Sequence, residues 1–208
     1  MTSSRVRHSE RSEEQSPLVR HSERREESAF SYRVVAKSLK LALVFALASC
    51  ILFAATQPAV TKLLPDAKDK PLVAWKAVKN GLQYGKGDGL TNIYDGGYGD
   101  YIKAGVVDAA RNLYQRKADT MEVTVHTMKS AKAAAAFFAK DAKANKAKTF
   151  SQTKTSAGAV GYSAGQALGY GYSGSYYVAV TSMYGGAKAR ADAQTFVKVI
   201  INKAAKAK

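Results

Sequence analysis

Alternation is clearest over residues 120–128, where Met121, Val123 and Val125 point one way and Glu122, Thr124 and His126 the other. A two-residue period marks a strand with one covered face. His126 therefore falls on the polar side of that strand. Residues 106–114 read as a strand ahead of it. Residues 148–182 divide at glycine-rich turns into three more, and the last is rich in β-branched and aromatic side chains. Helical spacing takes over elsewhere. Phe196, Val197, Ile200, Ile201 and Ala204 make an apolar stripe over residues 188–205, with Lys198, Lys203 and Lys206 turned away. Residues 130–146 are alanine-rich, carry Phe137 and Phe138, and repeat Lys140, Lys143 and Lys146 along one line. Residues 71–79 begin with Pro71 and stop at Asn80-Gly81, as a short helix does. Residues 84–89 form a loop, and residues 90–103 turn into a further helix. The expected class is α+β: a mainly antiparallel sheet with helices packed on one face, following an N-terminal signal or anchor segment.

The first 55 residues do not belong to that domain. Over residues 6–28, Val6-Arg7-His8-Ser9-Glu10 returns as Val19-Arg20-His21-Ser22-Glu23, part of a nine-residue block that recurs with eight matches at an offset of 13. No apolar period drives it to fold, so a disordered charged tail over residues 1–34 is expected. The block also resembles the peptide made when a short repetitive intergenic DNA element is translated, which would put the true start of translation near Val34 or Val35. Arg33, Lys37 and Lys40 then precede an apolar run from Leu41 to Ala55. A basic stretch followed by such a run is the layout of an export signal, and residues 35–55 are read as a signal peptide or membrane anchor. The run is short for a spanning helix, which needs about 20 residues.

Leu47-Ala48-Ser49-Cys50 resembles the lipobox of bacterial lipoproteins, which makes Cys50 the lipidation candidate. Ile51-Leu52-Phe53 departs from the small polar residues that follow the cysteine there. Lipidation, ordinary cleavage and a retained anchor stay open, and all three place the domain outside the cytoplasm. Residues 56–70 read as a linker of Pro, Asp and Lys, and residues 71–208 as one domain.

Charge sharpens the picture. The chain carries a formal +16 at pH 7. Residues 61–208 hold 23 basic side chains, 20 of them lysine, against 10 acidic ones. Such a surface attracts anionic partners, but lysines offer point charges rather than the bidentate forks of arginine. An anionic envelope polymer or a glycan suits the charge, and membrane association through the N-terminal anchor or lipid suits the leader. A basic nucleic-acid-binding protein is a further alternative, but no nucleic-acid partner is expected for an exported chain, and a cytoplasmic location would be needed to revive it. Oligomeric state is open. The domain has no cysteine beyond the leader, one histidine (His126) and one glutamate (Glu122), a poor kit for hydrolytic or metal chemistry. No cofactor, metal site or catalytic residue is expected.

Ile93-Tyr94-Asp95-Gly96-Gly97-Tyr98-Gly99-Asp100-Tyr101, a strand ending at Tyr114, Val123-x-Val125-x-x-Met128 and Gly174-Ser175-Tyr176-Tyr177-Val178 follow one another in order. This series resembles an uncharacterised family of exported bacterial proteins known as a domain of unknown function, over residues 70–205. The resemblance implies an exported α+β domain. Tyr98 stands where that family carries a small residue. No activity or catalytic residue comes with the resemblance.

Several motifs fail their context. Gly169-Tyr170-Gly171-Tyr172-Ser173-Gly174 has dinucleotide-loop spacing, but a strand follows where a helix is required. Gly161-Tyr162-Ser163-Ala164-Gly165 has nucleophile-elbow spacing, but no helix follows it either, and a triad of His126, Asp119 and a serine is not expected. Asp95 and Asp100 could pair for acid–base work as a cryptic envelope hydrolase, although Asp95 as a helix cap beside a solvated Asp100 is the simpler reading. Tyrosine is in excess, with 11 of 12 after residue 80. Tyr94, Asp95, Tyr98, Asp100, Tyr101, Tyr176 and Tyr177 are the candidate ligand face of a non-catalytic domain.

Overall fold

The computed structural model describes residues 58–207. The repeat tail, the apolar run and Cys50 lie outside them. Eight strands build one sheet: β1 (Lys76–Ala77), β2 (Gln83–Lys86), β3 (Val106–Arg116), β4 (Asp119–Met128), β5 (Lys148–Gln152), β6 (Ser156–Ser163), β7 (Gln166–Ser173) and β8 (Tyr176–Ser182). The order across the sheet is β1-β3-β4-β8-β7-β6-β5, and β2 shares the outer edge of β3 with β1. Every pairing is antiparallel. Three α-helices accompany it: α1 (Tyr98–Ala104), α2 (Ala131–Ala144) and α3 (Gly186–Lys206). This is the α+β class with the antiparallel sheet that the sequence predicts.

The apolar stripe of α3 supplies the main core. Phe196, Val197, Ile200 and Ile201 are buried against Val123 and Val125 of β4 and Val178 and Val180 of β8. Two glycines of β7 let the helix come close. A Cβ on Gly171 would stand 2.7 Å from Val197 Cγ1 and 2.9 Å from Ile201 Cγ2. Trp75 meets Phe196 edge-on at 5.2 Å between ring centroids, and Tyr114 closes the same end.

Successive strand residues alternate sides, so Tyr170, Tyr177 and His126 turn to the other face. That face is covered too, by α2 through Ala134 and Phe137 and by the stretch holding Leu90 and Ile93. His126 is consequently buried at 2% exposure, not on a solvated polar side. A second covered face leaves no solvent side to the centre of β4.

Other expectations change for local reasons. Of the linker expected over residues 56–70, the described part, residues 58–70, packs onto the domain. A 3-10 helix, Ala59–Leu63, puts Val60 and Leu63 into the core, and Lys203 Nζ ties the stretch down through Asp69 Oδ2 at 2.6 Å and the Leu64 carbonyl at 3.0 Å. Residues 71–79 form turns and then β1 instead of a helix. Leu72 and Trp75 both anchor inward, and the Val78 amide bonds to the Leu113 carbonyl at 2.9 Å, which commits the backbone to the sheet. Residues 84–89 are not only loop, since β2 occupies the first of them. The helix expected over 90–103 is split. A 3-10 helix, Gly87–Asn92, gives way at Gly96 and Gly97 (φ +82° and +67°), and only α1 remains regular. Residues 148–182 hold four strands where three are expected, because the polar edge strand β5 carries almost no apolar signal.

Candidate functional site

Part of the tyrosine-rich face does converge. Tyr94 lies on the bend after the second 3-10 helix, and Tyr101 lies on α1. Their rings stack at 3.8 Å between centroids and 16° between planes. Beneath them sits His126 on β4, with Tyr177 opposite it on β8. The Tyr94 hydroxyl donates to His126 Nε2, and His126 Nδ1–H reaches the Tyr177 carbonyl at 3.4 Å. The Tyr177 hydroxyl in turn donates to Asp141 Oδ2 of α2 at 2.5 Å. An open hollow of about 310 Å³ lies above, between Tyr101, Asp100, Phe137, Lys140 and Asp141.

The chemistry of this cluster is quiet. Burial holds the imidazole of His126 down at about 4, against a weaker opposing pull from the Tyr177 carbonyl. It is neutral at pH 7, with both ring nitrogens engaged. Burial pushes the phenols of Tyr94 and Tyr177 above their ordinary range, and Asp141 adds to the effect at Tyr177. Phenols kept protonated in this way are hydrogen-bond donors and packing surfaces.

The remaining candidates do not join them. Asp95 is exposed, and Gly97 rather than Asp95 precedes α1, so the expected cap is not made. Asp100 is also exposed and pairs with Lys103 at 3.4 Å. Both carboxylates stand open to solvent. Tyr98 is half-buried and reaches toward Asp88 at 3.5 Å. Tyr176 alternates to the α3 side of the sheet and lies apart from Tyr177. Asp119 is held by Arg116 and Lys188, and His126 bonds to tyrosines, so no triad forms. The glycine motifs become hairpins. Ala164 and Gly165 turn β6 into β7 with positive φ, and Gly174 turns β7 into β8.

A larger hollow of about 620 Å³ wraps the end of the sheet. Its walls are the first turn of α2, the β5–β6 loop, the β7–β8 hairpin and the last turn of α3. Lys132, Lys154, Tyr172, Ser173, Ser175 and Tyr176 line it, and no carboxylate side chain does. Tyr172 is braced by Phe138 at 5.3 Å. Ser173 is 4% exposed and ends β7 at the base of the β7–β8 hairpin. Only Tyr176 of this group is among the seven candidates. The tract 169–174 marks the hairpin in the sequence, but nothing in it shows that Lys154, from another hairpin, arrives beside it.

Lysine dominates the adjoining surface. Lys129, Lys132, Lys140, Lys143, Lys146, Lys148 and Lys154 are all exposed. The single acid of that stretch, Asp141, turns inward to Tyr177. Among the described residues, no helix is long and apolar enough to cross a membrane.

No family model matches the chain, and no curated protein matches it. The likeness to a family of exported proteins therefore rests on the quoted residues. Among solved structures, the chain is similar to the extracellular domain of PknH from Mycobacterium tuberculosis. Identity is 12%, coverage is 71% of this chain and 95% of that one, and the TM-score is 0.46. A likeness at that level carries no argument here.

Proposed function

We propose that this is a non-catalytic, exported, membrane-associated envelope domain that holds an anionic or carbohydrate-bearing envelope component on its lysine-rich side. The observation that supports it most is the set of seven exposed lysines over residues 129–154, whose only acidic neighbour in sequence is withdrawn into the cluster below α2. Fixed positive charge without opposite charge interleaved attracts polyanions and releases their counterions on contact. Export is supported by the basic stretch and apolar run that precede the domain, with Cys50 as the lipid attachment point. An intact mass of the native protein carrying diacylglycerol on Cys50 would support that anchor, and a mature chain starting near Thr56 would replace it with simple cleavage.

The surface is tested by salt elution of the detergent-solubilised chain from a polyphosphate resin. Replacing Lys140, Lys143 and Lys146 with Gln should reduce the log–log salt slope by roughly 0.7–0.9 per lysine in contact. Unchanged elution of the triple variant would discard the lysine surface.

The cryptic-hydrolase alternative draws on Asp95 and Asp100. Their exposure and the Lys103 pairing weigh against it, and replacing both with Asn provides its test on a substrate panel.

A further inference from the structure

We infer that the hollow between α1 and α2 seats one uncharged sugar ring of a glycan, with the ring laid on Tyr101 and its hydroxyls bonded to Asp141. This rests on the reading above and gives the carbohydrate part of its ligand a place of its own.

Tyr101 provides the platform. Tyr94 stacks on it at 3.8 Å between centroids, and the buried His126 lies parallel to it at 6.3 Å. A ring stacked on one face that also lines an open hollow can present only its other face or its edge to what enters. Phe137 borders the same hollow and meets Tyr101 at 5.9 Å. A pyranose carries C–H groups on its faces and hydroxyls around its rim, so it needs an apolar platform with hydrogen-bonding groups beside it. A platform already fixed by its neighbours loses little freedom when a ligand arrives.

Asp141 provides the acceptor. It sits on the last turn of α2, and the Tyr177 hydroxyl donates to its Oδ2 at 2.5 Å from a side chain only 1% exposed. The carboxylate is therefore held from behind, at the wall of the hollow. A carboxylate has about four acceptor sites, and that bond uses one. Hydrogen bonds to an ionised acceptor are stronger than those between neutral groups. Donors stand nearby. Lys140 lines the hollow, with its Nζ 5.6 Å from the Phe137 ring centroid. Burial, and after it the Asp141 charge, raise the Tyr101 phenol above its ordinary value, which keeps that hydroxyl a donor.

Charge selects an uncharged ring. Asp100 at the rim pairs with Lys103 at 3.4 Å, and Asp141 follows Lys140 in the chain. Two carboxylates and two ammonium groups cancel, so neither an anion nor a cation is drawn to this spot by net charge. The lysine-rich surface beyond it differs in that respect. The volume of about 310 Å³ lies at the small end of ligand pockets and suits one ring. Gly97 at the margin has no side chain, and a Cβ there would meet nothing within 4 Å, so the mouth stays open to the neighbouring rings of a longer glycan.

The experiment is calorimetric titration of the full-length chain in a polyoxyethylene detergent, which carries no sugar. The probes are maltotriose, cellotriose and triacetylchitotriose, with glucosamine and glucose 1-phosphate as charged counterparts of glucose. At least one trisaccharide should bind, with an affinity that changes by less than about twofold from low to high salt. Tyr101→Leu keeps an apolar side chain over the cluster but removes the ring, and should weaken binding by about tenfold or more. Asp141→Asn keeps an acceptor for the Tyr177 hydroxyl but removes the charge, and should weaken it by about tenfold. An aspartate present only to satisfy Tyr177 would leave that affinity unchanged. Both variants should unfold within a few degrees of wild type, which separates a lost contact from a lost fold.

Absence of binding for all three trisaccharides overturns the assignment, as does full affinity in either variant. Tighter binding of glucosamine or glucose 1-phosphate than of glucose at high salt overturns it too, since charge would then govern the hollow. Retention on polyphosphate resin with no trisaccharide bound overturns this inference and leaves the lysine surface standing. Trisaccharide binding with unchanged elution of the lysine triple variant does the reverse.

Discussion

Protonation of His126 gives the sharpest test of the interior. The imidazole titrates near 6.5 in an unfolded chain and is pushed down to about 4 by burial in the fold. Between those values the unfolded chain binds a proton that the folded chain refuses. The unfolded state is therefore favoured as pH falls through that window. Above about pH 6.5 the neutral ring contributes its full stability, and below about pH 4 the loss is complete. A gap of about 2.5 pH units corresponds to about 3 kcal/mol, with a maximum slope near 1.4 kcal/mol per pH unit around pH 5. The carboxyls of Asp66 and Asp119 are held below their ordinary value by the Lys68 amide and by Lys188 respectively. Their stabilisation is also lost as pH falls, so wild type alone does not isolate the histidine. The measurement is a difference: urea unfolding of wild type and His126→Gln between pH 4 and 7.5, followed by the fluorescence of Trp75, the one tryptophan. The stability of wild type relative to the variant should fall by about 3 kcal/mol from pH 7 to pH 4. A difference that stays flat to within about 0.5 kcal/mol would mean that His126 titrates normally, and the closed tyrosine cover over it would be wrong.

Two further changes probe the α3 layer. Phe196→Ala empties a fully buried site between Trp75 and Tyr114, and should cost about 3–5 kcal/mol in urea unfolding; a cost under about 1 kcal/mol would show that the ring is not packed as described. Gly171→Ala drives a methyl into Val197 and Ile201. It should cost about 1–3 kcal/mol, whereas no loss of thermal stability would show that helix and sheet stand further apart.

The strongest periods in the chain were the safest guides. The alternation through Met121, Val123 and Val125 and the stripe through Phe196, Val197, Ile200 and Ile201 describe two surfaces that meet in the fold. Weak or double signals misled. Glu122, Thr124 and His126 look like a solvated face because two of the three are polar without being charged, yet a strand covered on both sides tolerates such residues when their groups are satisfied. The polar strands β1, β2 and β5 carry few apolar residues, since their role is to pair backbone at the sheet edges. Trp75 and Leu72 announce burial but not whether a helix or a turn delivers it. The site was partly legible. Tyr94 and Tyr101 stack directly on each other, and Tyr177 joins them through His126, whose 51-residue separation from Tyr177 no local pattern reveals. Lys132, Lys154 and Ser173 meet for the same kind of reason, as ends of different elements gathered at one rim.

The pairing of β4 with β8 has a kinetic meaning. The hairpin β3–β4 and the meander β5–β8 are each built from neighbours in the chain, and seven register pairs join them. That seam closes a loop of about 50 residues that contains α2, and such closure is an entropic toll on the folding rate. Each half can gain its local contacts early, but neither can bury both faces alone. The tyrosine–histidine cluster spans the seam, with His126 on one side and Tyr177 on the other. Its formation therefore reports the moment at which two half-sheets become one molecule.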